Sequence, residues 1–228
     1  MNREIDLSEI SDGKKYDAGD MARLGVNDCS GCHHCCCGMG DTVILDPYDI
    51  YRLEAGLGMS FEELLSQHLG LRVADGMILP HLRMDKPIEV LDSKGKEAES
   101  EACTFLNEEG RCSIHSSRPA ICRLFPLGRI YENDTHQYFL QVNECQKKRQ
   151  DKIKIKKWLD TPAFSNYEKY VDTWHYFVKG ITDRAPEMPP EQLKAVNIAV
   201  LNTFFATNYD ASVDFYEQFN DRMSRIGF

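Results

Sequence analysis

Long apolar runs are missing from this sequence. None approaches the roughly 20 residues needed to cross a bilayer as a helix, so no membrane span is expected. The opening MNREIDLSEI lacks the apolar core of a secretory signal, and a reducing cytoplasm is the expected compartment. A basic excess is missing too. Lys and Arg number 27 against 36 Asp and Glu, a net charge of −9. Nucleic-acid binders rely on clustered positive charge, so a nucleic-acid partner is not expected. There is no G-x-S-x-G, no H-E-x-x-H and no Walker loop, and no low-complexity tract or internal repeat. What remains is a chain of 228 residues, 42% hydrophobic, which can bury a real core as one large domain or a small domain with an appendage.

The residue in surplus is cysteine. Five of the nine cysteines fall in Cys29-Ser-Gly-Cys-His-His-Cys-Cys-Cys37, and Cys103, Cys112, Cys122 and Cys145 follow at wide intervals. Disulfides suit this pattern badly. The count is odd, and three adjacent cysteines constrain where each Cβ can point. Free cysteine is a good small core residue, but core segments are not written as five thiols among Gly and His. Metal is the remaining reading, with the late cysteines brought onto the early loop around it. Cys29-x2-Cys32-x2-Cys35 sets three thiolates on a tight loop. Zinc ribbons use such C-x2-C pairs. Bacterial ferredoxins use the triple run for three corners of a [4Fe–4S] cube and take the fourth ligand from a distant cysteine. Cys36 follows Cys35 directly and is assigned to a second site, and Cys37 is surplus.

The expected fold class is α+β. Residues 1–24 read as a weakly structured, flexible segment, with turns at Asp12-Gly13 and Gly19-Asp20. Residues 25–146 read as a small irregular metal-built domain with short strands and two helices. Residues 43–45 form a short apolar strand. Asp46-Pro47 starts a helix with an apolar stripe at Ile50, Leu53 and Leu57. Ser60-Phe-Glu-Glu63 is a capping box opening a second helix through about residue 68. Strand-like pieces follow at 77–84 and 88–91, then an acidic loop or hairpin tip at 94–101, and a hairpin pairs 127–131 with 136–142. Residues 147–157 are basic and read either as a solvated helix face or as a site for an anionic partner. Residues 147–228 form a helical C-terminal region with helices at 163–179, 191–206 and 210–226. Its aromatic residues serve as core or as a surface for a protein partner.

Several of these motifs together resemble one family. Cys29-x2-Cys32-x2-Cys35-Cys36, Asp46-Pro-Tyr-Asp-Ile-Tyr-Arg-Leu, Cys103-Thr-Phe-Leu, Gly110-Arg-Cys-Ser-Ile-His and Arg118-Pro-Ala-Ile-Cys-Arg-Leu-Phe-Pro occur in this order. The set looks like the YkgJ-type cysteine-cluster family, known by its CxxCxxCC motif, over about residues 27–146. The resemblance implies a zinc- or iron-chelating domain, often described as an iron–sulfur protein, and more distantly the flagellin lysine N-methylase. No Gly-rich strand-to-helix loop for a methyl-donor nucleotide accompanies it. The matched metal ligands are Cys29, Cys32, Cys35, Cys36, Cys103, Cys112, Cys122 and Cys145. Cys37 departs from the pattern and could replace Cys36 through a one-residue slip.

Eight thiolates make two four-thiolate sites, or one cluster with spare ligands. An iron–sulfur cluster, [4Fe–4S] in type, is the preferred cofactor, and Zn2+ in a closed structural site is the alternative. Arg111, Arg118 and Arg123 stand close in sequence to ligand cysteines. Arg118 and Arg123 are candidate cofactor-binding residues, because guanidinium offsets thiolate charge; Arg118 could equally pack and cap the turn before Cys122. His33 and His34 are further possible ligands, and Cys37 is a candidate reactive thiol. Three functions are compatible with this chemistry. One is an iron–sulfur protein acting in redox or in modification of a protein or small molecule. The second is a zinc-stabilised binding module without catalysis. The third is metal trafficking. The sequence names no catalytic residue.

Overall fold

The structure is a computed structural model that describes residues 7–25, 32–91, 97–142, 144–145 and 151–226. It is mixed α+β. Short two-stranded sheets occupy the N-terminal part and longer helices the C-terminal part.

Local signals set many of the boundaries. Helix α1 is one turn, Leu7–Ile10, and strand β1 is Met21–Gly25. Helix α2, Pro47–Leu57, begins at Asp46. The Asp46 carboxylate accepts from the Asp49 backbone N–H, and the Asp49 carboxylate accepts from the Asp46 N–H. Pro47 costs nothing at the first helical position, where no intrahelical partner exists for its missing N–H. Gly58 ends the helix at φ 65°, a conformation that favours glycine. Helix α3, Phe61–Gln67, opens on the Ser60–Glu63 capping box.

Strands β2 (Leu69–Ala74) and β3 (Met77–Leu82) then form an antiparallel hairpin. No strand is expected at 69–74 from the sequence, although Asp75-Gly76 is a strong two-residue hairpin signal. Both residues have positive φ, 49° and 83°. The apolar stretch 43–45 runs beside β3, with Leu45 N–H donating to the Pro80 carbonyl and Leu82 N–H to the Val43 carbonyl. Strand β4 (Lys86–Leu91) pairs with β5 (Glu97–Ala102), so most of the expected acidic loop is a strand. Helix α4 is short, Ala120–Leu124. Strands β6 (Leu127–Glu132) and β7 (Thr135–Leu140) form the expected hairpin around Asn133 and Asp134, both at positive φ.

Strand β8, Asp151–Lys154, replaces part of the expected basic helix face. It pairs with β1, and the chain continues into α5, Ile155–Leu159. Of the segment expected to be flexible, residues 1–6 lie outside the described residues, and the rest is tied down by this pairing and by bridges from Ser11 to Gln141 and from Tyr16 to Tyr138. Ala22 and Leu24 are buried between them. Helices α6 (Phe164–Thr182), α7 (Pro190–Leu201) and α8 (Phe215–Ile226) follow. After α7 the chain widens into a π-turn, Asn202–Ala206. Arg222 of α8 donates to the Thr203, Thr207 and Asn208 carbonyls there, supplying partners that the widened turn leaves unmatched.

The main core ignores the boundary expected near residue 147. Val43, Leu45, Ile50 and Leu64 belong to the same buried cluster as Tyr170, Trp174, Phe204, Phe205 and Phe219. The C-terminal aromatics therefore bury against α2 and β3. A smaller core beneath β1, β6 and β7 gathers Leu24, Leu127, Tyr138, Leu140 and Ile155. Among the described residues no helix is long and apolar enough to cross a membrane.

Candidate metal centre

Cysteines from separate stretches reach one cavity. Cys35 and Cys36 lie on a 3₁₀ turn, His34–Cys36, with Cys32 just before it and Cys37 just after. Backbone bonds fasten this turn to the end of β5: Cys103 N–H donates to the Cys36 carbonyl at 2.8 Å, and Gly38 N–H to the Glu101 carbonyl at 2.8 Å. Cys112 pairs with Leu106 across the Asn107–Gly110 turn. Cys122 sits in α4. Cys32, Cys35, Cys36, Cys37, Cys103, Cys112 and Cys122 all line a cavity of about 290 Å³. Val43, Leu82, Met84, Ile114 and Phe125 supply apolar wall, and Arg111, Arg118, His34 and His115 supply polar wall. The eight described cysteines are all free thiols.

The electrostatics of the cavity favour a cation. The Cys36 thiol hydrogen-bonds Cys35 and holds the Cys35 thiol down at about 7, with Arg118 helping. Cys36 is pushed up in turn, first by that same bond, then by burial and by the charges of Cys35, Cys122 and Cys103. Burial pushes Cys103 up to about 11, with Cys112 and Cys37 adding repulsion. Burial also raises Cys122 and Cys112, and neighbouring thiolates add to it. Several thiolates cannot coexist here unaided, because each desolvated anion repels the next. A bound metal removes that penalty and takes the thiols as thiolates. The donor set therefore fits a thiophilic metal. Among the described residues no three His, Cys, Asp or Glu side chains converge closely enough to enclose a single ion; the sulfurs are distributed over the cavity wall.

The remaining expected ligands divide. Cys29 lies outside the described residues. Cys145 is half-buried and is not among the described residues lining the cavity, although its neighbour Glu144 is. The Cys37 thiol, expected to be surplus, donates to the His33 carbonyl at 3.4 Å. His34 lines the cavity, whereas His33 packs beside Gly110.

The candidate arginines divide in the same way. Arg118 lines the cavity, and its Nε donates to the His115 carbonyl at 3.1 Å, so it both faces the thiols and closes the turn. Arg123 is 4% exposed and is not among the cavity-lining residues. Its guanidinium donates to the Arg118 and Leu159 carbonyls and to Thr161 Oγ1, and lies over the Tyr48 and Tyr167 rings. A helical register explains this: on so short a helix, residue 123 points about 100° away from residue 122.

Asp49 escaped the sequence reading as a site residue. It is 1% exposed, and Oδ1 accepts from the Ala120 N–H at 2.6 Å, at the start of the helix bearing Cys122. Burial, then the Asp46 charge, raises its carboxyl to about 8, against the pull of Arg123. The Asp46-x2-Asp49 spacing announces a capping box, but nothing in it announces a partner 71 residues away.

A family model described as "CxxCxxCC: Putative zinc- or iron-chelating domain" matches residues 28–146. No curated protein and no solved structure gives a significant match.

Proposed function

The chain belongs to the CxxCxxCC family of zinc- or iron-chelating cysteine-cluster domains, and from that membership we propose that its thiols hold an iron–sulfur cluster, [4Fe–4S] in type, that serves redox chemistry or the modification of a protein or small-molecule substrate. The observation that carries this reading is that seven thiols line one cavity, with no three among the described residues close enough to enclose a single ion. Four thiolates on one zinc ion lie at about 2.3 Å from it and so within about 3.8 Å of each other. A cube binds each thiolate at a different iron, so its donors stand farther apart. The triple spacing Cys29-x2-Cys32-x2-Cys35 supports the same choice.

The cluster would supply one-electron transfer or, with one iron left open, a substrate-binding position. The candidate ligands are Cys29, Cys32, Cys35, Cys36, Cys103, Cys112, Cys122 and Cys145. Cys36 is preferred to Cys37 because Cys36, not Cys37, completes the CxxCxxCC spacing of the family. Arg111 and Arg118 would offset the negative charge of the ligated thiolates. Anaerobic purification followed by iron, zinc and acid-labile sulfide analysis and an electronic spectrum tests the proposal. Equal iron and sulfide with a brown colour that bleaches in air is the expected result. A colourless protein with about two zinc ions and no sulfide, as two four-thiolate sites would give, refutes it.

A further inference from the structure

We infer that one face of α2, made by Asp49, Arg52 and Gly56, is a positioning surface for the chain segment that carries Cys112 and Cys122. The inference rests on the proposed function in one respect: it takes these two cysteines as metal ligands.

The three residues are spaced i, i+3 and i+7, which places them on one side of a helix. Each meets a different point of the segment between the two cysteines. Asp49 Oδ1 accepts from Ala120 N–H at 2.6 Å. Arg52 Nη2 donates to the Ser116 carbonyl. Gly56 lies so close to Ser117 that a Cβ built on it would stand 2.1 Å from Ser117 Oγ and 2.9 Å from Ser117 Cβ. A methyl group at position 56 would force the Ser117 side chain to move. Arg123 ties α4 to the Leu159 carbonyl and Thr161 Oγ1 while its guanidinium lies over the Tyr48 ring of α2. The segment from Cys112 to Cys122 holds only a 3₁₀ turn, His115–Ser117, and the first turn of α4, which starts at Ala120. The Cys112 end is tied to Leu106 and Phe105 by strand-like pairing, so the longer helix beside the segment acts on its Cys122 end. Groups that orient ligands in this way are worth about tenfold to a hundredfold in metal affinity.

The test uses full-length, metal-loaded protein, with release of metal to excess chelator followed well below the melting temperature. Cys122→Ser, Asp49→Ala, Gly56→Ala, the double variant Gly56→Ala/Ser117→Gly, and Ser60→Ala are compared with wild type. Asp49→Ala and Gly56→Ala should each release metal at least about tenfold faster. Alanine is the better helix former by about 1 kcal/mol, so Gly56→Ala should not lower the helix signal, and faster release cannot be ascribed to a weakened helix. Removing the Ser117 side chain from that variant should restore release most of the way to wild type. Ser60→Ala removes an exposed cap on α3 and should leave release unchanged. Wild-type metal content in Cys122→Ser overturns the ligand assignment and this inference together. Loss of metal in Cys122→Ser, with wild-type release from folded Asp49→Ala and Gly56→Ala, overturns the inference alone. Equally fast release from Ser60→Ala also overturns it, since general loosening would then be the cause. If Asp49→Ala does not fold, Gly56→Ala and its rescue decide the matter.

Discussion

Phe219→Ala is the sharpest probe of whether the helices and the cysteine-bearing part are one structure. Phe219 is 1% exposed, and its ring meets those of Tyr170 at 4.7 Å, Phe204 at 5.7 Å and Trp174 at 6.4 Å. Truncating such a ring costs about 3–5 kcal/mol, through lost transfer energy and the cavity left behind. Total stability for a domain is about 5–15 kcal/mol, so the loss is a large share. With a urea dependence of about 2–3 kcal/mol per molar, the unfolding midpoint should fall by about 1–2.5 M. Two probes should be followed through the same titration. Tryptophan fluorescence reports Trp158 and Trp174, and pulsed alkylation with mass spectrometry reports Cys103 and Cys122. The buried cluster containing Phe219 also contains Cys103, Phe105 and Ile114, so both curves should shift together by the same amount. A fluorescence curve that moves while the thiol-labelling curve stays in place would refute the argument, because the helices would then be unfolding on their own.

Two further predictions concern polar groups held in the interior. His136 is clasped between Asp172 at 2.6 Å and the Tyr138 hydroxyl at 3.0 Å. Burial, with help from Arg129 and against the pull of Asp172, lowers its pKa below the ordinary 6.5. The unfolded chain therefore takes up a proton that the folded one resists, and stability should fall as pH drops below about 6.5. His175 and His68 shift in the same direction, so the His136 share is read as the flattening of the pH profile in His136→Asn; an unaltered profile would contradict it. Asn197 is 3% exposed and joins α7 to the β2–β3 turn, accepting from Ile78 N–H at 2.6 Å and donating to the Gly76 and Leu193 carbonyls. Asn197→Leu keeps the branched shape and heavy-atom count but strands Ile78 N–H and the Gly76 carbonyl, and should cost about 2–4 kcal/mol in a denaturation experiment. A loss under about 1 kcal/mol would mean that those two groups find other partners.

The sequence alone determined the features that short-range chemistry controls. Asp46-Pro47, the Ser60–Glu63 box and Asn133-Asp134 mark element boundaries because a cap or turn is settled within four or five residues. The choice of metal-binding chemistry was equally legible, since few other uses explain five thiols in nine residues. Tertiary structure alone decided which of those thiols meet. It brought Cys103, Cys112 and Cys122 onto the early loop and turned Arg123 inward to Tyr48 and Tyr167, away from the cavity wall. It also paired β1 with β8 across the whole cysteine-bearing stretch and set Asp49 beneath Ala120. Each of these contacts joins residues whose spacing along the chain carries no information about their distance in space. They form because burying the shared aromatic core fixes α2, α4 and α6 relative to one another, and the sulfur-bearing loops take their positions from that frame.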